Sequence, residues 1–222
     1  MKLGTILLAF AAGILVLPSA YADSPRSVDA RELDIAGVKT GMDFDQARAA
    51  AAKYLKVAPS EIKPYFHKEN LTNFDTQMVR DIETITGARR YSGLSYEKDK
   101  AKLNVEFEPR VPVDKARPLV VALVTYEIPD TAENAAAMKE AALAKYGEPS
   151  VDVSGPSRMN MYWCAKPSGR FLQCNIRPEE RDEAVLKIQG VSMRLYDPIW
   201  DKARQQFLQD LRDSKAKTKP KF

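Results

Sequence analysis

Residues 119–147, LVVALVTYEIPDTAENAAAMKEAALAKYG, hold the turning point of the chain. Up to Ile128 the period is two: Val120, Ala122, Val124, Tyr126 and Ile128 take one side, Val121 and Leu123 the other. Apolar residues on both sides predict a central strand covered on both faces. Asp130 and Glu133 then show capping-box spacing, and Ala135, Met138, Ala142 and Tyr146 recur at helical spacing. Gly147 followed by Pro149 stops that helix, because glycine takes the left-handed cap and proline cannot continue the hydrogen-bond ladder. A strand therefore ends one structural unit here and a helix opens the next.

The same grammar occurs upstream. Asp43 and Gln46 repeat the capping spacing, and Phe44, Ala47, Ala51, Tyr54 and Leu55 form one apolar stripe, which predicts a helix from Phe44 to about Leu55. Leu94 and Tyr96 mark a short strand, Lys98-Asp99-Lys100 a turn, and Leu103, Val105 and Phe107 alternate with Lys102, Asn104, Glu106 and Glu108 in a strand with one wet face. Lys53-Tyr54 before Pro59-Ser60 matches Lys145-Tyr146 before Pro149-Ser150. The pattern predicts an α+β protein: two related helix-plus-antiparallel-sheet units with a C-terminal helix. Their bounds are 23–129 and 130–213, with a basic tail over 214–222 expected to fray. Residues 56–90 stay unassigned: Phe74, Met78 and Ile82 are spaced by four as in a helix, but 82–86 would serve equally as a strand.

Beyond the second helix, 159–176 reads as two short alternating runs joined by a turn, and it carries the only two cysteines, Cys164 and Cys174. In a simple three-residue turn over Pro167, Ser168 and Gly169, Cys164 faces Leu172 and stands diagonal to Cys174. A bond between them therefore calls for a hairpin centred on Gly169 with a wider turn or a bulge. Ala184, Leu186 and Ile188 occupy one parity, and Val191, Met193 and Leu195 the other, with a bulge or bend expected at Gly190. Asp197 and Pro198 open a last helix whose apolar stripe is Trp200, Ala203, Phe207 and Leu211.

The first 22 residues have the form of a secretory signal: Lys2, an apolar run from Leu3 to Leu17, then the small-x-small site Ala20-Tyr21-Ala22. That run is shorter than the roughly 20 residues a membrane span needs. The expected location is periplasmic or secreted, where an even cysteine pair forms a disulfide. The net charge of +4 falls to +3 without Lys2, and Lys215, Lys217, Lys219 and Lys221 lie in the tail, so the folded part is close to neutral. This is not the footprint of a nucleic-acid binder.

A single histidine, His67, leaves no histidine-rich metal site, and no nucleophile elbow, phosphate-binding loop or cofactor motif is present. The one acid–base chemistry the composition allows is a carboxylate pair of the kind used by hydrolases. Met159, Met161 and Trp163 share one side of their strand, with Phe171 on its partner; this face is either core or a binding surface. The expected function is non-catalytic binding of an envelope protein or small ligand, with attachment of a structural factor through the basic tail as an alternative.

At GVKTGMDFDQARAAAAKYL, residues 37–55, the chain resembles the opening helix of small outer-membrane-assembly lipoproteins and of β-lactamase-inhibitor-protein-like folds. KYGEPS at 145–150, the Trp163-Cys164 strand and VSMRLYD at 191–197 resemble exported proteobacterial proteins with tandem helix-plus-sheet layouts. The resemblance implies action through surfaces and carries over no catalytic residue. No cysteine stands at the expected cleavage point, which departs from the lipoproteins.

Overall fold

The computed structural model describes residues 26–65, 83–87, 93–155, 158–165, 167–168, 173–174 and 183–217. The expected signal segment, His67, Phe171 and residues 218–222 lie outside these. In chain order the elements are α1 (Phe44–Leu55), β1 (Lys63–Tyr65), β2 (Gly93–Lys98), β3 (Ala101–Pro109), β4 (Leu119–Glu127) and α2 (Ala132–Tyr146). There follow β5 (Val151–Asp152), β6 (Asn160–Cys164), β7 (Pro167–Ser168), β8 (Gln173–Cys174), β9 (Val185–Gln189), β10 (Ser192–Tyr196) and α3 (Pro198–Lys217).

Eight strands form one antiparallel sheet in the order β1-β2-β3-β4-β10-β9-β6-β5. Each half is a helix followed by four strands that run inward from an outer edge, so the last strands of both halves, β4 and β10, pair at the centre. The α+β class and the C-terminal helix are as the periodicity predicts.

α1 and α2 lie on one side of the sheet; α3 packs against β3 and β4, where the Arg204 guanidinium meets the Glu108 carboxylate at 2.8 Å. The ring of Phe44 on α1 meets Phe107 on β3 at 5.3 Å, and Tyr146 at the end of α2 meets Trp163 on β6 edge-on at 5.7 Å. Beneath them Leu94, Val105, Val124, Leu195, Leu186 and Trp163 stand side by side across six strands and are fully buried. Ala47, Ala51 and Ala142 are the contact points of the helices, small enough to bring their backbones onto the sheet.

Several local expectations need correction. The parity of β4 changes because Ala122 is an extra residue: Glu106 pairs with Leu123 while Phe107 pairs with Val121. Val121, not Val120, therefore joins Val124 on the helix side, as expected of a β-bulge. The bulged Ala122 carbonyl accepts the Asp197 backbone N–H at 3.0 Å. The cap of α2 is Thr131, whose hydroxyl accepts from the Asn134 N–H at 3.1 Å, one residue later than the spacing implied. Gly190 is neither bulge nor bend: with φ +58° it opens a tight turn that sets Gln189 opposite Ser192.

The cysteines are bonded, with a Cα separation of 6.1 Å. The predicted centre on Gly169 is wrong, since Pro167 pairs with Cys174 and Ser168 with Gln173. Cys164 ends its run in the main sheet, whereas β7 and β8 form a separate two-stranded ribbon. The chain leaves the sheet between them, and the disulfide ties the ribbon back.

Residues 214–217 are helical rather than frayed. Side-chain hydrogen bonds from Gln205 to Asp201, Gln206 to Asp210 and Gln209 to Asp213, at 2.8 to 3.0 Å, support α3 along its exposed side.

Candidate functional site

Of the expected binding residues, Met161 and Trp163 are fully buried, and Met159 is half-buried against the same core. Trp163 donates its ring N–H to the Gly147 carbonyl at 3.2 Å. The aromatic strand therefore anchors α2 to the sheet, because the parity that aligned these side chains is the parity facing the helices. Cys164 and Tyr162, on the opposite parity, form a smaller cluster with Val151 and Cys174.

The other side of the sheet is where chemistry collects. Pairing places Thr125, Arg194, Lys187 and Tyr162 in one row across β4, β10, β9 and β6. A neighbouring row carries Glu127, Ser192 and Gln189. With Glu106 and Leu123, all of these except Tyr162 line a polar hollow of about 420 Å³. The Lys187 ammonium lies 5.4 Å from the centroid of Tyr162 and the Arg194 guanidinium 5.8 Å from that of Tyr196. Each ring steadies a cation and leaves its charge unspent. Among the described residues neither cation makes an ion pair, although each stands directly opposite the other.

Glu106 and Glu127 share this hollow, which bears on the hydrolase alternative. Their positions on β3 and β4 correspond to Leu123 and Glu127, four residues apart along one strand. The sheet thus roots them about 13 Å apart at the usual strand rise and does not itself bring them together. Among the described residues no group of three histidine, cysteine or acidic side chains is arranged to hold a metal ion.

At the edge, Tyr65 lies over Gly93, where any Cβ would collide with its ring. Burial, and then the negative charge of Glu106, push the Tyr65 phenol from 10.0 up to about 12. Burial raises Tyr126 and Tyr146 as well. A phenol whose folded pKa is raised contributes stability that is fully present below its unfolded value and is lost as pH rises through the folded one. Urea unfolding is therefore expected to show stability falling as pH climbs from about 10 towards about 12, with a shallower fall in Tyr65→Phe. An unchanged slope in that variant contradicts the assignment.

Comparison with protein-family models, curated proteins and solved structures found no match. Among the described residues no helix is long and apolar enough to cross a membrane.

Proposed function

We propose that this is a non-catalytic binding protein of the cell envelope, periplasmic or secreted, which takes a carboxylate-bearing protein segment on the open face of its sheet. The Lys187–Arg194 pair carries this reading. Like charges directly opposite on neighbouring strands oppose folding. Held over tyrosine rings and in no ion pair among the described residues, they are prepared for an anionic partner, and preorganised charge lowers the cost of binding. Glu106 and Glu127 on the other half of the hollow favour a partner whose basic groups flank its acidic ones.

Export is supported by the signal-like leader and by the Cys164–Cys174 disulfide, a bond typical of oxidising compartments. The resemblance to surface-acting exported proteins agrees with it.

Lys187→Glu tests the reading, because it converts the repulsive pair into an attractive one. Stability is expected to stay within about 0.5 kcal/mol of wild type, the lost cation–π contact offsetting the relieved repulsion. Immobilised wild-type protein is expected to retain a discrete acidic envelope protein at low salt and release it at high salt. Lys187→Glu is expected not to retain it. Equal retention by the variant contradicts the proposal.

A further inference from the structure

The topology leaves a second opening, on the helix side. α1 and α2 cover the Val124–Leu195 part of the seam between β4 and β10, which is fully buried, and leave its Tyr126–Met193 end partly open between them. Tyr126 and Met193, directly paired across that seam, floor a cleft of about 400 Å³. Tyr54 of α1 forms one wall, Met138, Ala141 and Tyr146 of α2 the other. The volume falls within the usual range of small-molecule sites.

The lining specifies the chemistry of an occupant. Its walls are methyl, thioether and aromatic surface, and Tyr54 is 57% exposed, the most exposed large apolar side chain among the described residues. Lys145 lies at the mouth, 5.2 Å from the Tyr54 centroid and 5.3 Å from that of Tyr146. Its charge is already matched, since the ammonium meets the Asp34 carboxylate at 2.6 Å, and Tyr146 donates its hydroxyl to the Asp34 carbonyl at 2.7 Å. The hydroxyls of Tyr54 and Tyr126 make no hydrogen bond with described residues. Tyr126 resists ionisation through burial and then through the neighbouring Tyr54, so it is a donor at neutral pH.

We infer that this cleft binds an uncharged, flat aromatic molecule carrying a hydrogen-bond acceptor, with the rings and Met193 holding its body and the Tyr126 hydroxyl its acceptor. A carboxylate is disfavoured, because Asp34 neutralises the one cation at the mouth. The site is independent of the open sheet face and does not rest on the function proposed for it.

The probe is 6-propionyl-2-dimethylaminonaphthalene, an uncharged flat aromatic ketone whose emission reports both burial and hydrogen bonding. Titration into the full mature protein is expected to give saturable, blue-shifted emission. Tyr126→Phe is expected to weaken binding roughly 5- to 10-fold, the loss of one hydrogen bond. Ala141→Trp, at an exposed position on the cleft wall, is expected to remove saturable binding while the circular dichroism stays native; Ala137→Trp serves if that variant does not fold. Lys187→Glu is expected to bind like wild type. Unsaturable emission with the wild type, or wild-type affinity in the tryptophan variant, overturns the site, and wild-type affinity in Tyr126→Phe overturns its donor.

Discussion

Trp163→Ala is expected to lower the unfolding free energy by about 4 kcal/mol, a fall in melting temperature of roughly 8–16 °C for a chain of this size. The indole is fully buried, meets Tyr146 edge-on and is the link between the end of α2 and β6. Truncation leaves a cavity that the sheet cannot close, because the Trp163 strand is pinned on one side by β9 and at its end by the disulfide. Trp163→Phe separates the two contributions. It keeps an aromatic ring and loses the hydrogen bond to Gly147, at a cost of about 1–2 kcal/mol. Urea denaturation of both variants measures this directly. A stability change under about 1 kcal/mol for the alanine variant would return Trp163 to the surface.

The second large effect concerns a contact spanning 166 positions. Arg31 grips Asp197 in a two-pronged pair at 2.8 and 3.1 Å and reaches Glu183 at 3.3 Å. The hydrogen bond to Asp197 is the main cause holding the Arg31 guanidinium above its ordinary pKa. Asp197 is 2% exposed and also accepts the Ile199 N–H at 3.2 Å, so one carboxylate both caps α3 and receives the N-terminal segment.

The burial of the two partners is unequal, which makes their substitutions unequal. Arg31→Ala strands a buried carboxylate and is expected to cost about 2–4 kcal/mol. Asp197→Asn keeps a good cap and leaves a guanidinium that is one-third exposed and still beside Glu183, so about 1–2 kcal/mol is expected. The reverse order in urea denaturation contradicts the role given to Asp197.

What could be read from the sequence follows from the range of the forces involved. The helix at Phe44–Leu55 is legible because its cap is local: Asp43 and Gln46 exchange both expected hydrogen bonds, at 2.9 and 3.0 Å. The hairpin turn at Asp99–Lys100 is local too, with both φ angles positive. The β4 bulge is not legible, because an extra residue is defined only by the strand beside it, and its carbonyl is used by distant Asp197. Arg31 gave no signal for the same reason.

The two surfaces proposed for binding lay further out of reach. Parity assigned Met161 and Trp163 to one side but left open which side the helices take. Lys187 and Arg194 become a pair only through the register of β9 and β10, and the tyrosine cleft exists only because β4 and β10 meet. Reading Gly190 as a two-residue turn would have found the first of these: it sets Leu186 against Leu195 and leaves Lys187 facing Arg194.

On the proposed function the partner protein meets the open sheet face and not the helix side. A photo-crosslinking residue at Thr125, beside Arg194 on that face, can be compared with one at Lys139 on the exposed side of α2, both in the producing cell. A discrete adduct is expected from position 125, lost when Lys187→Glu is added, and none from position 139. The same adduct from both positions, or one from position 125 that survives Lys187→Glu, would contradict it.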